Sequence, residues 1–198
     1  MSEIIHFFNQ LNFNLNILES AAVLSSIIYV LLAAKQNIWC WIFAAISTIL
    51  YIYICFSAQL FAETGLQFFY LFMAGYGYYN WNKSDHKKIV IQWKINNHIY
   101  LIICASSLAF LIGFLLKTYT EATMPIIDSF TTVFAIITTY MVAKKVLENW
   151  LYWIIIDSVS VYLYFNKDLY LTSLLFILYT IIAIFGYFSL IKKMKANA

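Results

Sequence analysis

The chain has little charge, little proline and little glycine. Charged residues make up 11% of its 198 positions and hydrophobic ones 64%, with arginine absent altogether. Soluble domains are roughly 25% charged and about 45–50% apolar, and mean hydropathy here is +0.80. These values exclude a soluble globular domain and define an integral membrane protein. One proline and five glycines leave little for a loop-rich architecture and fit helices. No ten-residue segments of alternating hydrophobicity suggest a barrel. The start, "MSEIIHFFNQLNFNLN", lacks the basic opening of a cleavable signal peptide. H-E-x-x-H, G-x-S-x-G, paired histidines and phosphate-binding loops are all missing. Intramembrane enzyme chemistry therefore finds no signature, and ATP-driven transport by this chain alone finds no support. The three cysteines, Cys40, Cys55 and Cys104, lie in or beside apolar runs without metal-ligand spacing, and read as buried small residues. His6, His86 and His98 fall near segment ends and read as interfacial. No cofactor, metal or nucleic-acid partner is implied.

What the chain does have is apolar length. A spanning helix needs about 20 mostly apolar residues. Seven stretches qualify, at about 17–34, 38–56, 60–79, 98–116, 124–143, 149–166 and 169–190. The one long connection, Asn80–Asn97, follows span 3, and the N-terminal segment suits a short interfacial helix. The expectation is a single all-α membrane domain over residues 1–198.

Lysine placement orients it. Loops after spans 1, 3, 5 and 7 hold ten lysines (35, 83, 87, 88, 94, 144, 145, 192, 193 and 195), against only Lys117 and Lys167 on the other side. By the positive-inside bias the N-terminus is outside and the C-terminus cytoplasmic. Acids lean the other way. Glu3, Glu19, Glu63, Glu121, Asp128 and Asp168 lie toward the outer face, six acids against two lysines. Glu19, Glu63 and Asp128 stand at the outer mouth. Such a field concentrates a cationic solute, or it is only the mirror image of the topology signal.

Shifted by 109 residues, the sequence matches itself without a gap. Glu19–Tyr79 against Asp128–Phe188 gives fifteen identities in 61 positions, among them Lys35/Lys144, Trp41/Trp150, Tyr70/Tyr179 and Gly77/Gly186. Spans 1–3 (about 17–79) thus correspond to spans 5–7 (about 124–190), with span 4 (about 98–116) as linker. A shift of four spans leaves both triplets facing the same way. Parallel repeats are a transporter architecture with the site near midplane between them, although a structural protein can also arise by duplication.

Three helical faces can line a path. Trp150, Trp153, Asp157, Ser160 and Tyr164 share one face of span 6. Glu63, Gln67, Tyr70, Ala74, Gly77 and Trp81 share one face of span 3, and Asp128, Thr131, Thr132, Ala135 and Thr139 mark span 5. Trp39, Trp41, Tyr79 and Trp93 read as interfacial belts. Small and hydroxyl residues also pack helices, so span 5 is open to that reading. Gln67 and Asp157 are either path-lining groups or interhelical clamps. Asp157 is notable because no basic residue lies within nine positions on either side. Aromatic walls with a carboxylate suit a flat cation, each good ring contact contributing about 0.5–2 kcal/mol.

Two stretches, "LFAETGLQFFYLFMAGYGYYNW" and "LENWLYWIIIDSVSVYLYFNKDLYLTSLLFILYTIIAIFGY", resemble the signature regions of the PnuC family of bacterial vitamin transporters. The similarity runs on through "YTEATMPIIDSFTTVFAI" and covers nearly the whole chain. It implies a seven-helix fold of two parallel triplets plus a linker, SWEET-like, in the bacterial inner membrane. It also implies facilitated uptake of a vitamin precursor, nicotinamide riboside or, in the PnuT branch, thiamine, with a separate cytoplasmic kinase trapping the product. Carried across, the site residues are Gln67, Tyr70, Trp81, Asn149, Trp150, Trp153 and Asp157. Ser160 and Tyr164 join them from the span 6 face. Where family members often read YGW, this chain has Tyr76-Gly77-Tyr78. A partner-dependent vitamin-binding subunit would look similar by composition.

Overall fold

A computed structural model describes residues 17–57, 61–83, 90–121, 123–166 and 170–196, and these contain seven helices. They are α1 (Ile17–Ala34), α2 (Cys40–Ser57), α3 (Phe61–Lys83), α4 (Ile95–Tyr119), α5 (Pro125–Ala143), α6 (Asn149–Asn166) and α7 (Tyr170–Ala196). The interfacial helix expected at the N-terminus lies outside the described residues. So do Glu3, Asp85, Lys87, Lys88, Lys167 and Asp168.

Helices dominate because a backbone in hydrocarbon must satisfy its own polar groups. By length and composition alone, α4, α5 and most of α7 are apolar enough to cross a membrane, while α1 and α2 are shorter apolar helices. Helices α3 and α6 are diluted by polar residues, of which Thr64, Asn149, Asp157 and Ser160 turn inward. Several helices outrun their apolar cores. Helix α3 runs on through Asn80–Lys83, α4 gains a turn at its start, and α7 continues past Leu190. Backbone hydrogen bonding does not stop where hydrocarbon does, and the added turns are polar or lysine-bearing. Helix α5 starts on the only proline, at a position where the missing N–H has no helical partner to lose.

Helices α1–α2–α3 pack in sequence as one triplet and α5–α6–α7 as another. The triplets meet along two seams, α1 against α7 and α3 against α5. Among the described residues α4 packs mainly on α5, with His98 near its start reaching Tyr152 of α6. Its buried Ala105, Ala109 and Gly113 form a small-residue stripe that brings the helices close. A Cβ on Gly113 would sit 2.7 Å from the Ile126 Cα.

The internal repeat is written into the backbone. The α1–α2 turn and the α5–α6 turn make the same hydrogen bonds 109 positions apart: Gln36 N to Ala33 O (2.9 Å) and Lys145 N to Val142 O (3.0 Å), Asn37 N to Leu32 O (3.0 Å) and Val146 N to Met141 O (3.0 Å). Each turn places one residue in the left-handed region, Gln36 at φ 56° and Lys145 at φ 57°. Just beyond, Trp41 lies on Gly77 and Trp150 on Gly186, where a Cβ would come within 2.4 Å and 2.9 Å of the respective indoles. Only glycine lets the rings approach so closely.

Three sequence expectations are corrected. Trp41 is not a belt residue. It is 2% exposed in the core, edge-on to Trp81 at 5.5 Å, whereas Trp39 and Tyr79 are exposed as a belt requires. His98 is not interfacial but buried. Its Nδ1 lies 2.9 Å from the Tyr152 hydroxyl and its Nε2 4.0 Å from a Glu148 carboxylate oxygen. The cause is the 90–94 segment, which folds back under α6. Of the cysteines, Cys40 and Cys55 are buried, but Cys104 is exposed on α4.

Candidate functional site

Between the triplets lies a cavity of about 430 Å³. Six helices wall it, and the linker α4 contributes nothing. From α1 come Ser26 and Tyr29; from α2, Trp41, Ser47, Thr48 and Tyr51; from α3, Gln67 and Tyr70. The second triplet supplies Asp128, Thr131, Thr132 and Thr139 of α5, the α6 face Trp150, Trp153, Asp157, Ser160 and Tyr164, and Phe176 and Tyr179 of α7. At the lysine-rich end the cavity stops on a packed layer containing Trp41, Trp81, Ala143, Leu147, Trp150 and Leu190.

Of the residues singled out from sequence, Gln67, Tyr70, Asp128, Trp150, Trp153, Asp157, Ser160 and Tyr164 come together on the cavity wall. Trp81, Asn149, Glu19 and Glu63 do not. Trp81 shares a helical face with Gln67 but sits deeper toward the lysine-rich end, where its indole N–H donates to the Val142 carbonyl at 3.3 Å. The Asn149 Nδ2 donates to the Val146 carbonyl at the start of α6, and among the described residues its buried Oδ1 has no hydrogen-bond donor. Glu19 and Glu63 are exposed.

Among the described residues the wall carries two carboxylates, Asp128 and Asp157, and no lysine, arginine or histidine. Asp157 is 3% exposed. Among the described residues no hydrogen bond or ion pair joins it to another group. The repeat partner of Asp157, Thr48, differs in chemistry and in bonding. Its hydroxyl donates back to its own helix, to the Ala44 and Ala45 carbonyls at 2.9 and 3.1 Å. The cavity's charge therefore belongs to the second triplet.

Other repeat pairs are split in the same way. Tyr179 and Ser26 share a 2.6 Å hydrogen bond across the α1–α7 seam. The corresponding partner of Tyr70 is Ala135, which has no hydroxyl, so Tyr70 keeps its phenol for the cavity. Gln67 faces the cavity from α3 where Phe176, stacked on Tyr164 at 5.2 Å, does so from α7. Trp41 and Trp150 both line the cavity with indole N–H groups that are buried without an acceptor. Sequence reading missed Ser26, Tyr29, Trp41, Ser47, Tyr51 and Tyr179. Two of these were recoverable, since the repeat pairs Trp41 with Trp150 and Tyr179 with Tyr70.

A multi-helix membrane protein with a solute-sized polar chamber between two like-facing repeats is a membrane transporter. A family model described as nicotinamide mononucleotide transporter matches residues 16–192, and the chain belongs to that family. Among curated proteins it is 25% identical over 202 residues to the nicotinamide riboside transporter PnuC of Escherichia coli, covering 88% of this chain and 84% of that one. It is 23% identical over 161 residues to the riboflavin/roseoflavin transporter RibM of Streptomyces davaonensis, covering 78% and 75%. Among solved structures, the crystal structure of the vitamin B3 transporter PnuC shares the fold with a TM-score of 0.73 at 21% identity, covering 94% of this chain and 86% of that one. These relatives are transporters, not enzymes.

Proposed function

We propose that this chain imports a flat, cationic vitamin precursor, nicotinamide riboside ahead of thiamine, by facilitated diffusion across the bacterial inner membrane. In this reading the lysine-rich end and the C-terminus face the cytoplasm, and a separate cytoplasmic kinase traps the solute. The observation that carries the proposal is Asp157, a carboxylate buried on the wall of an aromatic chamber that among the described residues has no hydrogen bond or ion pair. A buried carboxylate needs a compensating charge, and a pyridinium or thiazolium ring supplies one. Rings such as Trp150, Trp153 and Tyr70 can stack on the same plane. Gln67, the Tyr70 phenol, Thr132 and Ser160 make no hydrogen bonds of their own among the described residues, and they offer a ribose diol donors and acceptors. Thiamine brings one hydroxyl and an aminopyrimidine edge to these groups, against three hydroxyls and a carboxamide on the riboside, which sets the order of the two solutes. Riboflavin is uncharged at neutral pH and leaves Asp157 uncompensated.

The test is a titration of the purified chain with nicotinamide riboside, thiamine and riboflavin, followed by uptake in liposomes. Tight binding of riboflavin alone, or of no cation, refutes the reading.

A further inference from the structure

The two seams between the triplets are related by the repeat but are not built alike, and the difference lies at the lysine-rich end. On the α3–α5 seam, the Asn80 side-chain amide donates to the Ala143 carbonyl at 2.7 Å and the Trp81 indole to the Val142 carbonyl at 3.3 Å. One turn away Tyr76 and Tyr140 stack at 6.2 Å. The Lys144 ammonium lies over both rings, 5.3 and 5.7 Å from their centroids, and Lys145 lies 5.3 Å over Trp81. The chain leaving α3 then grips the same α5–α6 turn from the other side. Ile91 N donates to Lys145 O at 3.0 Å, Leu147 N to Ile91 O at 2.9 Å, and Trp93 N to the Glu148 carboxylate at 3.3 Å.

The α1–α7 seam has none of this. The repeat puts Phe185 where Tyr76 stands, Leu31 where Tyr140 stands, and Ser189 and Leu190 where Asn80 and Trp81 stand. Phe185 and Leu31 are 70% and 44% exposed, and among the described residues they form no ring pair. Leu190 has no donor, and Ser189 points outward. The α1–α2 turn has the backbone of its counterpart, yet among the described residues all its hydrogen bonds are local. Among the described residues the one hydrogen bond between side chains across this seam, Ser26 to Tyr179 at 2.6 Å, lies higher, inside the cavity.

We propose that the lysine-rich end of the cavity opens along the α1–α7 seam, with the α3–α5 seam as a pivot that stays shut. The proposal rests on the chain's cycling as a transporter. A cycle must unseal that end, and motion follows the seam with fewer hydrogen bonds and ring contacts to break there. Rotation of the first triplet about the latched seam swings the α1–α2 turn away from the end of α7. It breaks the Ser26–Tyr179 bond and leaves the clamped α5–α6 turn in place. Because that bond joins two cavity side chains, a solute that engages the Tyr179 phenol also loosens the seam that must part.

The test uses two repeat-equivalent pairs in the full chain, with Cys104 replaced by serine: Leu31→Cys with Phe185→Cys, and Tyr76→Cys with Tyr140→Cys. Each pair is tied by a short bis-methanethiosulfonate crosslinker, and nicotinamide riboside uptake into liposomes is measured before tying, after tying and after reduction. Tying the first pair should cut uptake at least about tenfold, reversed by reduction. Tying the second should leave uptake within about twofold of the untied protein. The opposite pattern, or a block by both ties, overturns the proposal. If the untied proteins move no nicotinamide riboside, the functional reading has failed rather than the pivot. Spin labels at Leu31→Cys and Phe185→Cys then decide on their own. Two distance populations in lipid nanodiscs support the pivot, and a single narrow one refutes it.

Discussion

Replacing Asp157 by asparagine separates binding from scaffolding. The residue lies nine positions into α6 from Glu148, about 13 Å along the axis at 1.5 Å per residue. That is near the middle of a hydrocarbon core about 30 Å thick. A cation 4 Å from its carboxylate gains about 1 kcal/mol in a water-like dielectric and about 4 kcal/mol at an effective dielectric of 20. The cavity wall mixes aromatic rings with hydroxyl and amide side chains, so the effective value falls between these. A hydrogen bond to a charged group contributes about 1.5–3 kcal/mol. A loss of about 2 kcal/mol is therefore expected for Asp157→Asn, roughly 30-fold in Kd at 1.4 kcal/mol per tenfold. Stability should not follow. Among the described residues Asp157 has no donor to lose, and a neutral amide removes a carboxylate that costs about 2.5–3.5 kcal/mol at a helix centre on insertion scales. The melting temperature should hold or rise. Both quantities are read on one preparation, Kd by calorimetry and Tm by scanning fluorimetry, with an uncharged analogue of the solute as control. Unchanged affinity with a lowered Tm would mean that Asp157 holds helices together and binds nothing.

Three further outcomes are expected. Gly77→Ala should destabilise by about 1–3 kcal/mol, the range for overpacking, and more than Gly186→Ala, because its Cβ meets an indole at 2.4 Å rather than 2.9 Å; equal melting temperatures would show that both rings swing aside freely. A reporter fused after Ala198 should be cytoplasmic and a cysteine placed at Lys167 labelled from outside; labelling only from the cytoplasm would invert the orientation. The purified chain should equilibrate its solute in both directions across liposomes, since among the described residues no histidine, lysine or arginine stands on the cavity wall beside its two carboxylates to relay a proton; accumulation driven by a proton or sodium gradient would contradict facilitated diffusion.

The sequence by itself determined the membrane setting, seven helices close to their observed ends, and the pairing of positions 109 apart. These are properties of local composition and self-similarity, and they need no knowledge of where one helix lies against another. It also placed the α6 face from Trp150 to Tyr164, because a period of 3.6 fixes which side chains share a direction. Depth and distance were beyond it. Trp81 shares its face with Gln67 and still lies below the cavity, and Asn149 sits beside Trp150 in sequence yet donates its Nδ2 to the Val146 carbonyl. Only the tertiary structure decided that Asp157 meets no donor among the described residues, that Tyr179 is tied to Ser26 while Tyr70 is not, and that His98 is buried against Tyr152. It alone showed that one of two repeat-equivalent seams is latched. Each of these facts depends on how closely helices distant in sequence approach, which is set by particular small residues and side-chain volumes at their contacts. A one-dimensional pattern records the direction of a side chain but not the partner across the gap.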